Sequence, residues 1–93
     1  MAETTRRETV ATIGNKRGLH ARASAKVVEA AARFQSHITV TKDGQSVDAR
    51  SIMGLMMLAA GEGSQIGLAA EGPDAEQALA AILALIKANF GEE

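Results

Sequence analysis

The sequence contains no cysteine, tryptophan or tyrosine, one proline, and only two aromatic residues, Phe34 and Phe90. Without cysteine there are no disulfides, thiolate nucleophiles, iron–sulfur clusters or cysteine-ligated zinc sites. The same absence fits a reducing cytoplasm, which is the expected localisation. So few aromatics leave little surface on which bases could stack. A net charge of −1 gives no basic footprint, so no nucleic-acid partner is expected. Long hydrophobic runs are missing too. The most apolar stretch, 78–90, is broken by Lys87 and Asn89 and is too short for membrane insertion. The opening residues are polar, mix acids with two arginines, and do not read as a signal peptide. Having nothing to bury, residues 1–7 are expected to form a flexible tail.

What is present is 93 residues, 46% apolar and 23% charged, the composition of one small globular domain, expected over 8–93. At this size the core must be thin and shared by every element. Residues 9–13 read as a strand with Thr9, Ala11 and Ile13 on one side, ending at Gly14-Asn15. Over 21–34, Ala23, Val27, Ala30, Ala31 and Phe34 recur at helical spacing. Residues 36–41 alternate again, with Ile38 and Val40 inward, and Asp43-Gly44 predicts a tight hairpin turn into a return arm at 45–48. Arg50-Ser51 opens a short helix to about Leu58, with Ser51 as N-cap. A strand over 65–70 points Ile66, Leu68 and Ala70 inward. After Gly72-Pro73-Asp74, a final helix aligns Leu79, Ile82, Leu83, Ile86 and Phe90. The order β-α-β-β-α-β-α predicts an α+β sandwich of one mostly antiparallel sheet with helices on one face. Strand order does not follow from the pattern.

Reactive groups are scarce. His20 follows the basic loop Lys16-Arg17-Gly18 and directly precedes the first helix. There the backbone N–H groups of Ala21, Arg22 and Ala23 converge at the positive end of the helix dipole, where an anion is stabilised. Arg22 in that first turn opposes the dipole, a placement that makes sense if negative charge arrives beside it. A neutral imidazole is a good nucleophile toward phosphorus, and its phosphorylated form remains a donor. These features describe a phosphohistidine site; the plainer alternative is a surface histidine acting as an imperfect cap. His37 reads as a surface residue. No metal-ligand spacing accompanies either histidine, so neither metal nor cofactor is expected. Gly61-Glu62-Gly63 before a strand is not a dinucleotide loop, and no hydrolase triad has support.

The second helix is apolar nearly all round, through Ile52, Met53, Leu55, Met56, Met57 and Leu58. Two readings stand. Methionines exposed on so small a domain suit docking to differently shaped partners; alternatively Met53 and Met57 fill gaps in the core. Ser51 beside them is by default a helix cap, although a phosphate there would put charge next to an apolar patch.

Gly18-Leu19-His20-Ala21-Arg22, followed about thirty residues later by Ser51-Ile52-Met53-Gly54-Leu55-Met56, resembles the HPr family of histidine phosphocarriers of the bacterial phosphoenolpyruvate-dependent phosphotransferase system. The likeness runs from about Thr9 to Phe90, and Asn15-Lys16 with the Ala- and Leu-rich end also resembles the nitrogen-related branch, NPr. It implies an open-faced β-sandwich, with a four-stranded antiparallel sheet carrying three helices on one face. It further implies that His20 accepts phosphate on Nδ1 from enzyme I and passes it to a IIA-type protein, with Arg22 beside the phosphate. Ser51 matches the serine modified by HPr kinase/phosphorylase in lineages that have that enzyme. Ile52, Met53 and Met56 match the docking face. Two departures stand out. Ala23 occupies the place of a common proline, whose loss should soften the first turn without removing the site. Arg17 replaces a smaller polar residue and could alter partner choice.

The expectation is thus a monomeric phosphoryl carrier without turnover of its own. The alternatives are a regulatory interaction module acting through the Ile52/Met53/Met56 patch without phosphotransfer, or a prosthetic-group carrier attached at Ser51. The latter lacks an Asp-Ser-Leu motif, and an enzyme lacks a second catalytic group beside the histidine.

Overall fold

The computed structural model describes residues 5–92. Its elements in chain order are β1 (Thr5–Thr12), α1 (Ala21–Ala31), β2 (His37–Lys42), β3 (Gln45–Asp48), α2 (Ile52–Met57), β4 (Gln65–Gly72) and α3 (Ala75–Lys87), followed by a 3-10 turn at Asn89–Gly91. The strands form one antiparallel sheet in the order β1-β4-β2-β3, with helices against one face. The order β-α-β-β-α-β-α is therefore the observed one.

Alternation along the strands decides which face is covered. Ile38, Val40, Ile66, Leu68 and Ala70 are each 2% exposed or less, while Val10 on the opposite face is 62% exposed. An antiparallel sheet tolerates one solvated face because its backbone groups are paired within the sheet. Across the buried face pack Ala23 and Val27 from α1, Leu55 from α2, and Leu79, Ile82 and Ile86 from α3. The β2–β3 hairpin turns at Asp43 and Gly44, both with positive φ (50° and 80°). That conformation is the one a two-residue hairpin loop requires.

Several boundaries differ from the sequence reading: β4 runs on to Gly72 rather than ending at Ala70, and four others each have a local reason. β1 begins at Thr5, so residues 5–7 of the expected tail are strand, pairing with Gly72, Glu71 and Ala70 of β4. Ladder hydrogen bonds need no apolar side chain, and an edge strand can carry charge outward, here as the Arg6–Glu8 pair at 3.2 Å. Residues 1–4 of that tail lie outside the described residues. α1 stops at Ala31 rather than Phe34: the N–H groups of Arg33 and Phe34 bond three residues back, to Ala30 and Ala31. Arg50 lies just before α2 rather than within it, and its guanidinium donates to the Phe34 carbonyl at 2.5 Å, placing a cation at the C-terminal end of α1.

The last difference bears on the site. α3 ends at Lys87, and Phe90 belongs to a turn in which Asn89, Phe90 and Gly91 all have positive φ (54°, 56° and 79°). Left-handed backbone at a non-glycine residue costs about 1–3 kcal/mol. Complete burial of the Phe90 ring offsets it, because removing such a side chain from a core costs about 3–5 kcal/mol. Lys26 Nζ also donates to the Phe90 carbonyl at 2.5 Å. The chain is thus turned back, and residue 92 comes to lie beside the start of α1.

Candidate functional site

The loop before α1 is held from several sides. Gly18 has φ 64°, and a Cβ there would sit 2.2 Å from the Ala60 carbonyl oxygen, so only glycine fits. The next amide, Leu19, donates to that same Ala60 oxygen at 2.9 Å. The Asn15 side chain is buried and donates through Nδ2 to the Gly18 carbonyl at 3.0 Å. Ser24, buried in the first turn of α1, donates from Oγ to the Leu19 carbonyl at 3.1 Å. These bonds bring the chain into the helix at a fixed angle, with His20 at the N-cap.

His20 does not cap the helix with its side chain. Its carbonyl accepts the first helical bond, from Ser24 N at 2.8 Å, leaving the amides of Ala21, Arg22 and Ala23 without an acceptor among the described residues. No acid lies in the first turn. Three unsatisfied donors at the positive end of a helix dipole are suited to an anion.

The His20 ring is turned to a group the sequence reading missed. Its Nε2 bonds to the Glu92 carboxylate, with the His20 and Glu92 side chains 16% and 22% exposed. The other carboxylate oxygen of Glu92 accepts from Asn15 Nδ2 at 3.0 Å. The Glu92 carboxyl is held below the ordinary glutamate range chiefly by the His20 bond, then by the Asn15 bond; partial burial opposes this, and electrostatic attraction to the His20 ring and to Arg17 adds to it. Glu92 lies 72 residues from His20. The Asn89-Phe90-Gly91 turn brings the two together, and nothing in the spacing of the chain announced it.

Lys16, Arg17, His20, Arg22, Gly91 and Glu92 line one shallow cleft. Lys16, Arg17 and Arg22 have no ion-pair or hydrogen-bond partner among the described residues, so positive charge in the cleft exceeds that of its one carboxylate, Glu92. On its other side, Arg17 and His20 line a second cleft with Leu19, Met56 and Ala59. The structure therefore brings Arg17, His20, Arg22 and Met56 together. Ile52, Met53, Met56 and Met57 are 40%, 71%, 41% and 67% exposed, while Leu55 and Leu58 face the core. Met53 and Met57 do not fill core gaps. Ser51 caps α2, its Oγ accepting from Gly54 N at 3.0 Å, and lines neither cleft around His20. His37 is exposed and pairs with Asp48 at 3.2 Å. Among the described residues there is no cluster of potential metal ligands, and no helix is long and apolar enough to cross a membrane.

A histidine at an open, cationic helix N-terminus on a small α+β domain is the arrangement of a protein suited to hold an anion beside an imidazole. The family described as "PTS HPr component phosphorylation site" matches residues 7–88. A phosphocarrier protein HPr of Cupriavidus necator is 56% identical over 81 residues, covering 87% of this chain and 91% of that protein. A phosphocarrier protein NPr of Shewanella violacea is 44% identical over 88 residues, covering 95% and 97%. A crystal structure of an HPr from Thermoanaerobacter tengcongensis superposes with a TM-score of 0.90 at 47% identity, covering 94% of this chain and 98% of that one. The chain belongs to the HPr family of phosphocarrier proteins of the phosphotransferase system. Its members carry phosphate as a phosphohistidine intermediate and are carriers rather than enzymes.

Proposed function

We propose that His20 is the residue that carries the phosphoryl group, receiving it on Nδ1 from phosphorylated enzyme I and giving it to a IIA-type protein. The observation that carries this reading is the uncapped N-terminus of α1, where three free amides directly follow His20 in the chain and Arg22 lines the same cleft as His20. The amides of Ala21, Arg22 and Ala23 hold phosphoryl oxygens, and Arg22 balances their charge. All of these groups come from one chain, so transfer needs only a monomer. The work is done in the cytoplasm.

Ile52, Met53 and Met56 form the docking face, with Arg17 at its margin setting partner preference. Flexible thioethers adapt to two partners of different shape, and a small apolar interface releases quickly. In an organism with an HPr kinase/phosphorylase, Ser51 is a regulatory phosphorylation site. A phosphate there remains compatible with the helix N-terminus but places charge beside Ile52.

The test is charging by enzyme I and phosphoenolpyruvate, read by intact-protein mass spectrometry. The wild-type chain gains one acid-labile phosphoryl group, and His20→Ala gains none. A His20→Ala chain that still charges would refute the assignment.

A further inference from the structure

We propose that Glu92 is a positioning residue for phosphoryl transfer. Its carboxylate holds the His20 ring as the Nε2–H tautomer, leaving Nδ1 as the bare nucleophile, and it keeps that hold while Nδ1 carries phosphate. This rests on the reading of His20 as a carrier at Nδ1.

The geometry supplies the argument. A neutral imidazole has one N–H and one lone pair, and which nitrogen holds the proton is set by what faces it. Ionised, the Glu92 carboxylate can only accept, so the Nε2 it faces is the donor and Nδ1 is left unprotonated. The carboxylate is itself fixed by Asn15, which is buried and anchored to the Gly18 carbonyl. Farther back, the fully buried Phe90 pins the turn that delivers Glu92. One hydrogen-bonded chain therefore runs from the loop through the carboxylate to the ring.

The chemistry balances without moving a proton. In charging, the Nδ1 lone pair forms the bond to phosphorus as the donor's bond to phosphorus breaks, that electron pair returning to the donor. The ring becomes a phosphoimidazolium, still protonated on Nε2, and the Glu92 carboxylate faces its positive charge. In discharge the Nδ1–P bond breaks toward the acceptor, its electrons return to Nδ1, and the Nε2–H tautomer is restored. Were Nδ1 protonated instead, it would have to lose that proton before it could attack.

The experiment pairs nitrogen NMR of the His20 ring with the kinetics of charging by enzyme I, comparing the wild-type chain with Glu92→Gln and Glu92→Ala. The wild-type ring shows the Nε2–H pattern alone, whereas both variants show a mixture of tautomers. In both, kcat for charging falls roughly tenfold, the scale on which partners that orient a functional histidine act, with KM for enzyme I unchanged. A packing role alone would leave the ring pattern as it is. The proposal is overturned if either the tautomer pattern or kcat stays at its wild-type value in the variants. A wild-type chain that takes no phosphate on His20 would instead overturn the carrier reading, with the ring spectrum still reporting whether Glu92 sets the tautomer.

Discussion

At the start of α2, Ser51 turns its hydroxyl onto the Gly54 amide; at the start of α1, His20 makes no side-chain cap and bonds through its ring to Glu92 instead. Both residues sit in extended backbone at an N-cap, and neither helix has an acid in its first turn. At one end a donor is satisfied by a short polar side chain, as helix stability prefers. At the other, three donors are left open and a cation, Arg22, stands where the dipole disfavours it. The structure keeps local stability at the end that caps and forgoes it at the end proposed to receive the phosphoryl group.

Giving α1 the cap that α2 has breaks the contrast most severely. His20→Ser is expected to abolish phosphoryl transfer without lowering the thermal midpoint, because a serine cap is worth about 0.5–2 kcal/mol. A transfer-competent variant, or a large loss of stability, would show that the open end is not a functional concession. Arg22→Ala comes next. Charging should slow by roughly tenfold, the size of a lost charge-assisted contact to a phosphate. The unfolding free energy should stay level or rise by about 0.3–1 kcal/mol as the cation leaves the dipole. Normal kinetics with weakened folding would place Arg22 in the scaffold.

The reverse exchange acts on the other helix. Ser51→Ala should destabilise the fold by about 0.5–2 kcal/mol in denaturant titration while charging of the folded protein is preserved. Ser51→Asp keeps a good cap and so keeps stability, but weakens binding to enzyme I in calorimetry. Unchanged affinity would leave Ser51 as a cap only.

The third helix gives the smallest effect, and a pH dependence. Asp74 precedes α3 but does not cap it; its carboxylate accepts from the Ser36 hydroxyl at 2.6 Å and from the Ser36 and Gln35 amides. The Ser36 hydroxyl and then the Gln35 amide hold its carboxyl below the ordinary aspartate range, against a smaller opposing effect of burial. A lowered folded-state value means that the unfolded chain binds the proton more readily, so stability rises with pH across that window. The contribution is complete above the ordinary carboxylate range and is lost as pH falls through the lowered value. Asp74→Asn should flatten that part of the stability–pH curve, measured by thermal melts between acid and neutral pH.

Much of this was legible in the chain because it depends on neighbours in sequence. Alternation set the inward faces of β2 and β4, Asp43-Gly44 marked the hairpin, and Ser51 was readable as a cap. The His20 loop was legible for the same reason: glycine, basic residues and a helix start are contiguous. What escaped is set by contacts distant in sequence. β1 extends to Thr5 because β4 is there to pair with it. Helical spacing placed Phe90 on the α3 stripe, yet it is buried from a left-handed turn, which no periodicity can signal. Glu92 reaches His20 only through that turn. The side-chain pattern of α2 left core-filling and docking roles open for Met53 and Met57; their exposure excludes the first.

The central claim is that one imidazole, poised at an open helix end, carries the phosphoryl group. Phosphorus NMR of nitrogen-15-labelled chain charged by enzyme I tests it most directly. A single resonance coupled to His20 Nδ1 is the result predicted. A phosphorus signal assigned to any other residue, or none at all from a folded chain with active enzyme I, would contradict the account.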